Sequence, residues 1–173
     1  MEVVPLPLAG LLLVKPRVFR DERGFFVETF RASALPEATF AQDNHSRSSR
    51  GTLRGMHFQT TPGQAKLVRC ARGKIFDVAV DIRSESPTFG RWHAELLDDD
   101  EHRQLYIPVG FAHGFCVVSE IADVAYKCSN YYDAATESGF AYDDRAVGIA
   151  WPKLEYILSD RDRRAESFAK VCG

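Results

Sequence analysis

An imidazole, a guanidinium and an ammonium sit close together in this chain, the groups that could move a proton or hold an anion. Arg54 and His57 lie in Leu53-Arg54-Gly55-Met56-His57-Phe58-Gln59, and Lys66 in Gln64-Ala65-Lys66-Leu67-Val68, segments that otherwise read as interior β-strand. Charges belong in such places only where they are paired or meet a ligand. A second run, Ile107-Pro108-Val109-Gly110-Phe111-Ala112-His113-Gly114-Phe115, sets another histidine between two phenylalanines. Two strands of this kind predict one cavity lined by basic groups. An imidazole, with an unperturbed pKa of about 6.5, can serve as a general acid or base near neutral pH. An isolated strand histidine is by default a hydrogen-bonded core residue, and so is a strand tyrosine; Arg54 and Lys66 beside His57 favour the acid–base reading.

A metal centre takes at least three protein ligands, and His57 with His113 falls short of that, so no metal and no redox cofactor is expected. The 22 basic and 24 acidic residues leave a formal charge of -2, which gives no field to recruit nucleic acid or an anionic membrane. Any anion site must be local. Cys70, Cys116, Cys128 and Cys172 contain no CxxC pair and, the last excepted, fall in apolar runs, where buried reduced thiols are expected. The apolar stretch 6–14 follows Glu2 rather than a basic segment and is preceded and interrupted by Pro5 and Pro7, unlike a signal peptide. No run reaches the ~18 residues of a membrane span. A cytoplasmic protein is the expectation.

The elements that must hold these groups are strands. A chain of 173 residues is long enough for a single domain burying roughly 70% of its unfolded surface, and strand signals run from residue 11 to 132. Phe76, Val78, Val80 and Ile82 alternate with Asp77, Ala79, Asp81 and Arg83, the period of a half-buried strand. Arg72-Gly73-Lys74 before it reads as a hairpin turn. By the same parity Phe111, His113, Phe115 and Val117 share a face, as do Tyr126 and Tyr132 if their strand extends that far. Turns recur at 21–24, 86–90 and 108–110, the rhythm of a β-sandwich or barrel. Helix is sparse: a short one over 33–40 despite Pro36, and one over 159–170 with Ser159 or Asp160 as its N-cap.

Together these segments resemble the dTDP-4-dehydrorhamnose 3,5-epimerase family. The motifs at 53–59, 64–70, 76–83 and 107–115 match it, as do Phe19-Arg20-Asp21-Glu22-Arg23-Gly24-Phe25-Phe26, Gln42-Asp43-Asn44-His45-Ser46, Tyr126-Lys127-Cys128-Ser129-Asn130-Tyr131-Tyr132 and Gly148-Ile149-Ala150-Trp151-Pro152. The match runs in register over roughly residues 11–162. The resemblance implies an all-β, cupin-like jelly roll with short peripheral helices, acting without metal as a homodimer on a dTDP-linked 4-keto-6-deoxyhexose. It implies that His57 is the base, oriented by Asp162, that Lys66 stabilises the enolate, and that Tyr126 returns a proton from the opposite face. Nucleotide contacts are implied for Arg23, Glu28, Gln42, Asp43, Asn44, Arg54, His113, Glu137 and Arg161, with Tyr132 stacking on thymine. Arginine suits a diphosphate because its planar fork pairs bidentately with oxygens. Gly55 is placed to form a bulge letting Arg54 and His57 point the same way despite opposite parity.

The chain departs from the family pattern at Met56 (usually leucine), Arg161 (commonly lysine) and Val109 (often acidic). The last bears, by expectation, on substrate pose and on which carbons are inverted. Epimerisation at C3 and C5 is the leading expectation. A relative inverting only one of the two centres and a non-catalytic nucleotide-sugar-binding cupin are the alternatives.

Overall fold

The computed structural model describes residues 1–36 and 38–173. The strands in chain order are β1 (Glu2–Pro5), β2 (Leu12–Lys15), β3 (Val18–Asp21), β4 (Gly24–Val27), β5 (Gln42–Ser49), β6 (Leu53–Gln59), β7 (Lys66–Arg72), β8 (Lys74–Asp81), β9 (Trp92–Asp98), β10 (Gln104–Ile107), β11 (Phe111–Val117), β12 (Ile121–Cys128) and β13 (Glu137–Gly139). The helices are α1 (Asp160–Arg163) and α2 (Phe168–Cys172). An antiparallel sheet ordered β1-β2-β10-β7-β12-β5 packs on a second ordered β13-β6-β11-β8-β9, while among the described residues β3 and β4 pair only with each other. The main core lies between the sheets: Leu13, Val68, Leu105 and Val124 of the first meet Ile75, Ala79, Phe111 and Phe115 of the second. The expected all-β sandwich with short helices is what forms. No helix among the described residues is long and apolar enough to cross a membrane.

Strand β8 departs from the half-buried reading. Phe76, Val78 and Val80 do share a face, but the chain after β13 covers it, packing Phe140, Val147, Trp151 and Phe168 against them. The alternate residues point between the sheets, so Asp77 and Asp81 are both fully buried. Period-two alternation marks two faces; it does not say which one meets water. Arg72-Gly73-Lys74 is likewise no hairpin, because β7 and β8 belong to different sheets. Gly73, at φ 78°, turns the chain from one sheet to the other, and its N–H donates to Asp99 Oδ2 at 2.8 Å. A Cβ there would lie 2.1 Å from the Ile121 carbonyl oxygen.

The expected helix over 33–40 is only a 3₁₀ turn at Ala32–Ala34, with Glu37 outside the described residues; Pro36 has no N–H to extend it. The expected C-terminal helix is broken into α1 and α2, with Ser159 capping α1 by accepting from the Asp162 N–H at 3.1 Å. Strand β12 ends at Cys128, so Tyr132 lies in the following loop and shares no strand face with Tyr126. Val109 is exposed at the β10–β11 turn, outside the cavity described below. All four cysteines are free, three of them buried. Burial pushes the Cys70 thiol up to about 12 and Cys116 to about 11.

The bulge expected at Gly55 is present. Across β6 and β11, His57 faces His113 while Arg54 faces Phe115, so the step from 54 to 57 on one strand is matched by 115 to 113 on the other. The extra residue turns Arg54 and His57 toward one side. Gly55 sits at φ 135°, where a Cβ would lie 2.6 Å from the Gly114 Cα. Gly55→Ala should therefore destabilise the protein by at least ~2 kcal/mol, from left-handed strain plus backbone collision. The measurement is a urea midpoint at unchanged m-value; a variant as stable as the parent would show that the bulge tolerates a side chain.

Candidate active site

Strands β5, β6, β7, β11, β12 and β13 all contribute to a cavity of about 610 Å³ whose lining includes Arg54, His57, Lys66, His113, Tyr126, Glu137, Arg161 and Asp162. β6 and β11 are neighbours in one sheet, β7 and β12 in the other. The two imidazoles thus come from one sheet, and the ammonium and the phenol from the other. A chamber of about 130 Å³ shares His57, Lys66, Tyr126 and Glu137 with this cavity and adds Asn44 and Tyr132.

His57 Nε2 is 2.6 Å from Asp162 Oδ1. With Nε2–H donating to the carboxylate, Nδ1 keeps the lone pair a base requires. Asp162 reaches this point because the chain after β13 returns to β6: Thr52 and Ile157 form a parallel bridge, and Leu53 N–H donates to Ile157 O at 3.0 Å. Burial alone would raise the Asp162 carboxyl, but contacts with His57, Ser159 and Arg161 bring it below the ordinary carboxylate range.

His113 forms a second, deeper pair. Its Nε2 lies 2.8 Å from Asp77 Oδ1, while Asp77 Oδ2 is buried without a hydrogen-bond partner among the described residues. Asp77 was not singled out from sequence, where it reads as one of the polar positions of an alternating strand. Ser46 and Ser48 were also missed, although the parity of β5 places them with Asn44. Both line the cavity, and Ser48 Oγ accepts from Arg54 at 3.1 Å.

Among the described residues no carboxylate pairs with Arg54 or Lys66. Burial pushes the Lys66 ammonium down, and a cation poorly served by water gains most from an anionic oxygen placed against it. Burial is also the largest influence on Tyr126 and pushes its phenol up, so the hydroxyl keeps its proton at neutral pH. The cavity thus holds a carboxylate-oriented imidazole, an unpaired ammonium and a protonated phenol.

The nucleotide-contact expectations divide. Tyr132 OH donates to Glu137 Oε2 at 2.8 Å, Arg161 pairs with the same carboxylate oxygen, and Tyr132 N–H donates to Gln42 Oε1 at 2.9 Å. Gln42 in turn donates to Asn44 Oδ1 at 2.9 Å. Asp43 alternates to the outer face, where it holds Lys127 at 2.9 Å. Arg23 and Glu28 are not at this chain's cavity: Arg23 pairs with Asp21 at the β3–β4 turn, and Glu28 with Arg31.

This fold and site define a cupin-like isomerase of nucleotide-linked sugars. A family profile described as dTDP-4-dehydrorhamnose 3,5-epimerase matches residues 5–170, and the chain belongs to that family. It is 48% identical over 171 residues to the Escherichia coli K12 dTDP-4-dehydrorhamnose 3,5-epimerase, covering 95% of this chain and 92% of that one. A dTDP-4-dehydrorhamnose 3-epimerase of Streptomyces niveus is 42% identical over 177 residues, covering 99% and 86%. Among solved structures, the Legionella pneumophila 3,5-epimerase in complex with dTDP-4-keto-L-rhamnose superposes with a TM-score of 0.93 at 44% identity, covering 96% and 92%.

The depressed Asp162 value carries a pH dependence. An unfolded aspartate titrates near ~3.9, so the pairing stabilises the fold fully above that pH and is lost as pH falls through the lower folded value. Asp162→Asn should be less stable than the parent at pH 7, with the gap closing below about pH 4. Urea midpoints at the two pH values test this; a gap independent of pH would mean that the substitution acts through packing alone.

Proposed function

We propose that this chain epimerises dTDP-4-dehydro-6-deoxy-D-glucose at C3 and C5 to dTDP-4-dehydro-L-rhamnose, in the cytoplasm, with its own side chains as acid and base. The observation that carries the roles is that His57 with its Asp162 partner and Tyr126 with Lys66 line one cavity from opposite sheets. His57 takes the proton as the C–H bond beside the C4 ketone breaks, and the electron pair moves onto the ketone oxygen as an enolate. Lys66 holds that oxyanion. Tyr126 delivers its proton to the opposite face of the carbon, and solvent restores both residues. Arg54, which among the described residues meets Ser48 and no carboxylate, is free to receive the diphosphate. Asn44 and Tyr132 at the smaller chamber suit the base, and the buried thiols fit a reducing compartment.

The test is incubation with dTDP-4-dehydro-6-deoxy-D-glucose in deuterated water, with label read by NMR. Both C3 and C5 should exchange and invert. Label at C3 alone would align the chain with the single-centre naming of its Streptomyces niveus relative, and no label at all would leave a binding protein. His57→Ala should reduce exchange by at least ~10²–10⁴-fold while dTDP binding persists. Tyr126→Phe should still exchange but return the starting configuration, because enolate formation needs only the base and the oxyanion partner. Equal loss of both processes in that variant would place Tyr126 earlier in the reaction.

We also propose a homodimer in which the β3–β4 arm completes the partner's site. The arm pairs with neither main sheet and exposes Phe19, Phe25 and Phe26, and it carries Arg23, whose expected nucleotide contact the chain's own cavity does not provide. Sedimentation at micromolar concentration should show a dimer, and Phe26→Asp should shift it toward monomer and weaken dTDP binding. A fully active monomer would contradict this.

A further inference from the structure

Strand β6 is pressed from both sides by glycines whose backbones do not require glycine. In the order β13-β6-β11, Gly139 lies opposite His57 on one side and Gly114 lies near the bulge on the other. Neither has the positive φ that explains Gly55, so the reason for glycine is space. A Cβ on Gly114 would lie 2.7 Å from Met56 Sδ and 2.9 Å from Arg54 O. A Cβ on Gly139 would lie 2.4 Å from Met56 O and 3.2 Å from His57 Cδ2. That ring carbon is bonded to Nε2, the nitrogen that meets Asp162.

We infer that Gly139 is a positioning residue for His57: its missing side chain leaves the space in which the imidazole edge lies, so that Nε2 reaches Asp162 and Nδ1 is held in one orientation. The inference rests on the reading of His57 as the base. A side chain at 139 would meet the Met56 carbonyl oxygen at 2.4 Å, so β13 must lift away from β6, and it would also press on the ring at 3.2 Å; both loosen the 2.6 Å contact. A loosened imidazole samples orientations in which its lone pair misses the substrate's C–H, and misplacement of this size is costly to rate. Apart from Glu137 on β13, the residues read as nucleotide contacts lie outside that strand, so the larger effect falls on turnover.

The test uses Gly139→Ala, with Ser138→Ala, its neighbour on the same strand, as the control that stays at parental rate. Gly139→Ala should bind dTDP within about twofold of the parent by calorimetry and exchange substrate deuterium at least tenfold more slowly. The double variant Asp162→Asn/Gly139→Ala should be no slower than Asp162→Asn alone, because the glycine acts through that pair. A parental exchange rate in Gly139→Ala, or a full additive loss in the double variant, overturns the inference. An Asp162→Asn variant at parental rate would instead show that the pair has no role in the base, and the inference falls with that reading. Should Gly139→Ala not fold, His57→Ala/Gly139→Ala decides: recovery of a folded, dTDP-binding protein supports the ring as the group in the way, and continued failure assigns the glycine to the Met56 carbonyl and overturns the inference.

Discussion

The hydrogen bond between His57 and Asp162 joins residues 105 positions apart, and much of the architecture follows from what that contact demands. The imidazole must leave a strand on the same side as Arg54, which an unbroken pleat forbids, so β6 carries a bulge. The carboxylate must come from a segment outside the sandwich. The chain therefore runs back across the outer face of the five-stranded sheet and joins β6 through the Thr52–Ile157 bridge. The same return path buries Val78 and Val80 beneath Phe140 and Phe168. One segment thus closes the second apolar core and delivers the carboxylate, linking packing to the geometry of the site.

Charge is unevenly paired around the cavity. His57 and His113 each have a carboxylate, Asp81 is met by Arg83, Ser86 and Thr88, and yet among the described residues no carboxylate pairs with the exposed Arg54 or the half-buried Lys66. A desolvated ammonium without a counter-ion costs stability, and folds retain such groups mainly where a ligand supplies the missing partner. Both cations line one cavity, while the chain as a whole carries a formal charge of -2. Composition alone hides this.

The sequence was most legible where a local rule sufficed. Alternation placed Phe111, His113 and Phe115 on one face, the glycine between Arg54 and Met56 marked the bulge, and Ser159 announced a helix start. The resemblance brought in Asp162 and Tyr126, which no spacing argument links to His57. Reading failed where the outcome depends on what lies far along the chain. A glycine turn between two apolar strands looks the same whether they pair or part into different sheets, as at Gly73. Asp77 looks like a solvent-facing residue until the second sheet covers it. Arg23 and Glu28 were expected at the nucleotide, and their place on an arm away from the cavity follows from the separate pairing of β3 with β4, which strand periodicity does not specify.

The buried thiols have a consequence for how the molecule can be observed. A thiol held at about 12 or 11, as Cys70 and Cys116 are, is almost never a thiolate near neutrality, and alkylating reagents attack the thiolate. Both side chains are also fully shielded from solvent. Cys70 stands on β7 in the six-stranded sheet and Cys116 on β11 in the five-stranded one. Brief pulses of iodoacetamide during slow denaturation, read by peptide mass, would time the opening of each layer separately. The protein carries a native clock for its own unfolding, with one hand on each sheet.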